Sequence, residues 1–219
     1  NLVVADSVDI EGDIDVNGTT NLDAVDIDGA VQIDGTVTVG VDDTGLDVKF
    51  FGASAGAYTL YDQSEDTLEV RGATAAGPGK LKLSTGELTV VDGDVLGRID
   101  FGAPLESDGT DAILSGAAIW AEADATFSAS VNNSELVFAT NTSAAATERM
   151  RIDADGKVGI GDSSPDALLS IKGDSDENTT PSIRLKDGSG TREAWISNAS
   201  GDLVLANGGD DNTPHNKIQ

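Results

Sequence analysis

Cysteine is absent from the 219-residue chain, which removes disulfides and thiolate-bound zinc as supports for a fold. Aromatic residues make up only 4 %, so the largest fillers of an ordinary core are scarce. Cations are scarce as well: 13 Lys and Arg stand against 39 Asp and Glu, a formal charge of −26. Such a surface repels phosphate, which argues against nucleic acid and anionic membranes as partners. No apolar run approaches the roughly 18 residues of a membrane-spanning helix. Leu, Ile, Val and Phe together form close to a quarter of the chain, just above the level at which high charge implies disorder. A folded state with a thin core is expected.

What is present points to strands and turns. Asp outnumbers Glu 29 to 10, and there are 26 Gly. Asp and Gly favour turns, whereas Glu favours helix interiors. No segment shows a sustained helical period. The chain opens on Asn1 rather than Met, so we expect a piece of a longer polypeptide.

Residues 8–39 state one phrase four times: Val8-Asp-Ile10-Glu-Gly12, Ile14-Asp-Val16-Asn-Gly18, Val25-Asp-Ile27-Asp-Gly29 and Val31-Gln-Ile33-Asp-Gly35. Val37 and Val39 continue the alternation. Val and Ile fall on one face and Asp on the other, as in a strand. Between Leu22 and Val25 one extra residue shifts the parity, which predicts a bulge or a new winding. A ribbon of this kind leaves its apolar line and its edges open. Either coils stack into a solenoid or several chains wrap round a shared axis; with only five short windings and no evident caps, we expect an intertwined homo-oligomer. Twelve acidic residues and no basic one precede Lys49. Assembled copies would concentrate that charge within about a Debye length. The melting temperature is therefore expected to rise on adding magnesium or calcium, and a flat response would remove this expectation.

The remainder reads as short β units. Leu46–Gly52, Gly56–Asp62 and Thr67–Val70 predict a three-strand meander, and residues 71–79 a linker. Lys80–Leu83, Glu87–Val91 and Gly97–Pro104 predict three more strands, followed by strands at 117–121 and 136–139. Ala144–Arg149 reads as one helical turn or a loop. In Met150–Gly161 two alternating arms flank Asp155-Gly156, a strong hairpin signal. Ser182–Lys186, Glu193–Ser197 and Asp202–Leu205 predict a final meander.

Two phrases carry a resemblance. Gly156-Lys-Val-Gly-Ile-Gly161-Asp-Ser-Ser-Pro165-Asp-Ala-Leu-Leu169-Ser-Ile171 resembles the G-N-V-G-I-G-T-x-x-P-x-x-x-L-x-V phrase of tailed-bacteriophage fibres and related virion proteins. There it commonly follows E-R-M-R-I-D, here Glu148–Asp153. Lys157 and Asp162 depart from the usual Asn and Thr, and neither position needs a positive φ. Asp47-Val-Lys-Phe-Phe-Gly52 with Tyr58-x-Leu60-x-Asp62 is similar to structural proteins of marine phages. The phrases touch roughly half the chain. The resemblance implies an all-β, elongated, intertwined trimeric fibre built of short strands, β-repeats and small meander units, in a virion tail outside the host cell.

Chemistry-bearing constellations are weak. Asp13-Ile-Asp15-Val-Asn17-Gly18 begins like an EF-hand loop, but Ala24 holds the twelfth position and no helices flank it. Alternating Asp on a strand face accounts for it better. Asp153-Ala-Asp155-Gly156 reads as a turn, with loose cation binding as the alternative. Glycosidase chemistry needs two carboxylates at a set separation in a cleft, and 39 candidates select no pair. The only histidine, His215, lies in a polar tail unsuited to holding a catalytic base. Gly72–Gly79 lacks the Lys-Ser/Thr of a phosphate-binding loop, and Gly188-Ser-Gly190 precedes no helix.

The expected organisation is an acidic β-repeat shaft at 1–45, a meander with linker at 46–79, a β unit at 80–149, a hairpin unit at 150–173 and a C-terminal meander at 174–219. Val8, Ile10, Ile14, Val16, Val25, Ile27, Val31, Ile33, Ile152, Val158 and Ile160 are the expected inter-chain core. Trp120 and Trp195 are candidate ligand-facing aromatics, although inter-chain packing suits them better. No catalytic residue and no cofactor is expected, beyond weak divalent-cation binding. The expected partners are two further copies, other tail proteins and, through a distal region, a host receptor. The expected function is a structural shaft or connector. A carbohydrate- or receptor-binding tip or surface adhesin is the alternative, and a polysaccharide-degrading fibre ranks third.

Overall fold

Much of the period-two alternation becomes sheet in the computed structural model, which describes residues 25–103, 107, 109–173, 183–186, 193–199 and 202–208. Among these residues there is no helix, and the chain is all-β. It divides after Lys80 into two units.

In the first unit, β1 (Val48–Phe51), β2 (Tyr58–Asp62) and β3 (Thr67–Arg71) form an antiparallel meander, as the alternation predicts. The first turn closes through the Gly52 N–H to the Ala57 carbonyl at 2.8 Å. The second places Asp66 at φ +52°. There Asp62 accepts from the Ser64 N–H and hydroxyl, which holds its carboxyl below the ordinary range. Leu60 is the one buried hydrophobic residue described in this unit. The preceding residues 25–39 form no strand within the chain.

The second unit holds a six-stranded sheet in sequence order: β4 (Val95–Phe101), β5 (Ala117–Ala123), β6 (Ser134–Thr140), β7 (Thr147–Ile152), β8 (Val158–Ile160) and β9 (Leu169–Ile171). All pairs are antiparallel except β8 with β9. β10 (Ile183–Lys186), β11 (Glu193–Ala199) and β12 (Asp202–Gly208) form a separate antiparallel sheet, where a meander is expected.

The β7–β8 hairpin shows how its sequence turns the chain. The Asp153 N–H donates to the Lys157 carbonyl and the Gly156 N–H to the Asp153 carbonyl. The Asp153 carboxylate accepts the N–H groups of Asp155 and Lys157. Gly156 at φ +80° supplies the left-handed residue that a three-residue loop with a G1 bulge requires. Asp153 is thus engaged by its own turn.

The next turn explains two glycines of the Val158-Gly-Ile-Gly161 phrase. A Cβ on Gly159 would lie 2.0 Å from the Asp162 carbonyl oxygen, and one on Gly161 would lie 2.5 Å from that of Lys172. Only glycine fits this close backbone approach, which lets residues 161–168 return β9 parallel to β8. Pro165 is buried in that return, and Asp162 accepts from the Ser170 hydroxyl.

Three expectations change. Lys80–Leu83 and Glu87–Val91 are not strands: among the described residues neither segment joins a ladder, the Val91 N–H donates to the Asp94 carboxylate instead, and Leu88 is 98 % exposed. Residues 144–149 are neither a helical turn nor wholly a loop, because Thr147–Arg149 joins β7. Its extra residue is Arg149, since Phe138 faces Met150 while Ala139 faces Glu148. The division expected at 149/150 falls inside β7, and one sheet runs through both parts.

Candidate functional site

The six-stranded sheet sorts its side chains by face, and pairing aligns them in rows. Ile99, Ile119, Phe138, Met150, Ile160 and Ile171 are successive cross-strand partners, a row that crosses every strand. Beside it runs a second row, Gly97, Ala121, Leu136, Ile152, Val158 and Leu169. Neither row contains a charged or polar side chain. Ile99, Leu136, Ile160 and Leu169 remain exposed, Leu169 at 55 %, and the other aliphatic and aromatic members are only half-buried, apart from the small Ala121 and Gly97.

The opposite face is charged. Glu122 of β5 is the direct partner of Glu135 on β6, and Val137 is the partner of Arg151 on β7. Arg151 holds Glu148 through Nε and Nη2 and Glu135 through Nη1, while Nη2 lies 3.6 Å from Glu122. The fork geometry of guanidinium suits this carboxylate clamp. Its partners raise the Arg151 pKa further. Burial pushes the Glu135 carboxyl up to about 7, and a hydrogen bond with Glu122 adds to that, while Arg151 opposes it. Val137, the largest fully buried side chain described, sits between Trp120 and Arg151 in its row.

This geometry limits the chemistry. Carboxyls that share a hydrogen bond leave no room for a sugar carbon between them, since glycosidase pairs stand about 5 Å or more apart. The Trp120 indole N–H donates to Glu122, and the Arg98 guanidinium stacks 4.8 Å from the ring, so that side of the ring is occupied. Arg98 is itself paired with Asp100 at 2.9 Å. In the first unit, Tyr58 has Lys49 at 4.6 Å and Arg71 at 5.4 Å from its ring. Its hydroxyl donates to Glu69 and accepts from Arg71. Among the described residues, no three His, Asp or Glu side chains gather closely enough to hold a metal ion.

Of the expected inter-chain core, Ile152 and Val158 are direct partners and Ile160 faces Met150, so all three belong to the apolar rows. Val25, Ile27, Val31 and Ile33 are 62 %, 54 %, 59 % and 59 % exposed, without a covering partner among the described residues. Val8, Ile10, Ile14 and Val16 lie outside the described residues, as do Asp13–Gly18, the parity shift after Leu22, and His215. Trp195 lies in β11 opposite Arg184 and Ala206.

Sequence reasoning missed Ile99, Ile119, Phe138, Met150 and Ile171, and the whole charged cluster. Alternation within Ala117–Ala123 already separates Ile119 from Trp120 and Glu122; what it lacks is the neighbouring strand. Compared with known protein families and with curated proteins, the chain matches none.

Proposed function

We propose that the chain is a structural segment of an extracellular fibre, self-associating as a homotrimer, of the phage tail-fibre kind that its phrases resemble. The observation that carries this reading is the pair of uncharged rows spanning all six strands of one sheet face. Exposed apolar area of that extent is costly in water. A second exposed line, Val25 to Val41, occurs in the same chain. One occupant serves both lines: further copies of this chain, which bring a matching sheet face and a matching Val/Ile line at equal stoichiometry. Sheets pack face to face through such rows about 10 Å apart.

The function is mechanical. Copies share an apolar interior, acidic side chains face water, and the segment spaces a distal receptor-binding element from the virion, joined to other tail proteins. No catalytic step is assigned to it. Light scattering on the dilute, folded chain tests this. A mass three times the 22.3 kDa of one chain is expected, and a folded monomer would refute the reading.

A further inference from the structure

Like charges directly opposite one another destabilise a sheet, yet Glu122 and Glu135 face each other across β5 and β6. Their side chains are only 17 % and 7 % exposed. We propose that this pair is a pH-operated latch: one proton shared between the two carboxyls ties β5 to β6, and its loss loosens that tie.

Among the described residues, the charged and polar groups that face the pair are these. From β5 comes the Trp120 indole N–H, which donates to Glu122. From β7 come Arg151 and Glu148. β4 presents Arg98 and Asp100, which pair with each other on the same face beyond Trp120. The remaining described neighbours on β6, Val137 and Ala139, are apolar and buried. Three glutamates therefore surround one guanidinium, and Arg151 spends two of its N–H groups on Glu148. Full ionisation would leave uncompensated negative charge in a poorly hydrated place, which is costly. A proton between the carboxyls relieves the repulsion and supplies a hydrogen bond.

The sign follows from linkage. The Glu135 carboxyl stands at about 7 in the folded chain against 4.5 for the free group. Its contribution to stability is fully present below the unfolded value and is lost as pH rises through about 7. The latch is closed in mildly acidic water and open above neutrality.

Trp120 reports on the latch because its N–H is held by Glu122. The chain has two tryptophans, so Trp195→Phe leaves Trp120 as the sole indole. In that full-length background, Trp120 emission is expected to change in a single-proton step centred near pH 7. Amide exchange at Ala121–Ala123 is expected to rise above the same pH by more than the intrinsic base-catalysed increase. Both changes should vanish in Glu135→Gln and in Glu122→Gln, each checked for its β-sheet circular dichroism. Asp100→Asn, which alters the Arg98 pair instead, should retain them. A flat emission trace from pH 5 to 9 in the parent would overturn the latch. So would an unchanged step in either folded glutamine variant, or loss of the step in Asp100→Asn alone.

Discussion

Phe138→Asp is expected to lower the light-scattering mass to that of a single chain while the β-sheet spectrum persists. Phe138 stands in the interior of the first apolar row, between Ile119 and Met150. In one chain it is only half-buried, so the proposed association would cover more of its ring. Full burial of a phenylalanine contributes roughly 2–3 kcal/mol, and a carboxylate there would bring an unpaired charge into the shared interior. Because every copy carries the change, the effects would accumulate in the proposed assembly. Even about 3 kcal/mol weakens association roughly a hundredfold, since 1.4 kcal/mol is a factor of ten. Leu88→Asp is the control. Leu88 is 98 % exposed and lies outside both rows, so its change should leave the mass untouched. An unaltered mass for Phe138→Asp would place the interface elsewhere.

Arg151→Met should cost the second unit about 3–5 kcal/mol at pH 8, in line with breaking a buried ion cluster by removing one partner. Methionine keeps much of the stem volume but leaves Glu122, Glu135 and Glu148 without their cation. The penalty should shrink toward pH 5, where protons replace the guanidinium as the source of neutralisation. Arg98→Met provides the contrast. Arg98 pairs with Asp100 with the two side chains 35 % and 45 % exposed, so water screens the pair and the loss should stay within about 1 kcal/mol. Denaturant unfolding followed by circular dichroism at pH 5 and pH 8 separates the two outcomes. Equal losses for both variants, or no pH dependence for Arg151→Met, would contradict the cluster's assigned role.

How much of this was legible beforehand depends on the range of the interactions involved. The meander at β1–β3 and the Asp153–Lys157 hairpin were legible because their signals are local: alternation, a glycine at a positive φ, and a short Asx-stabilised turn. The strands expected at 80–83 and 87–91 carry similar alternation and are not strands, because alternation does not supply a ladder partner and, among the described residues, neither segment joins a ladder. β7 was legible only in its second half, since the small residues at 144–146 obscured where the strand begins. Gly159 and Gly161 could be read as members of an alternating arm, but not as the places where two carbonyl oxygens exclude any side chain.

Composition and periodicity alone determined that this chain is acidic, lacks cysteine, builds strands rather than helices and presents Val and Ile on one side of each. Those properties belong to single segments, and period-two alternation records them directly. Tertiary structure alone decided that Glu122 meets Glu135 and Arg151, and that six aliphatic or aromatic residues from six strands form one line. Alternation marks which face a residue takes, but the identity of its cross-strand neighbour depends on register, and register is set by turns and bulges such as the one at Arg149.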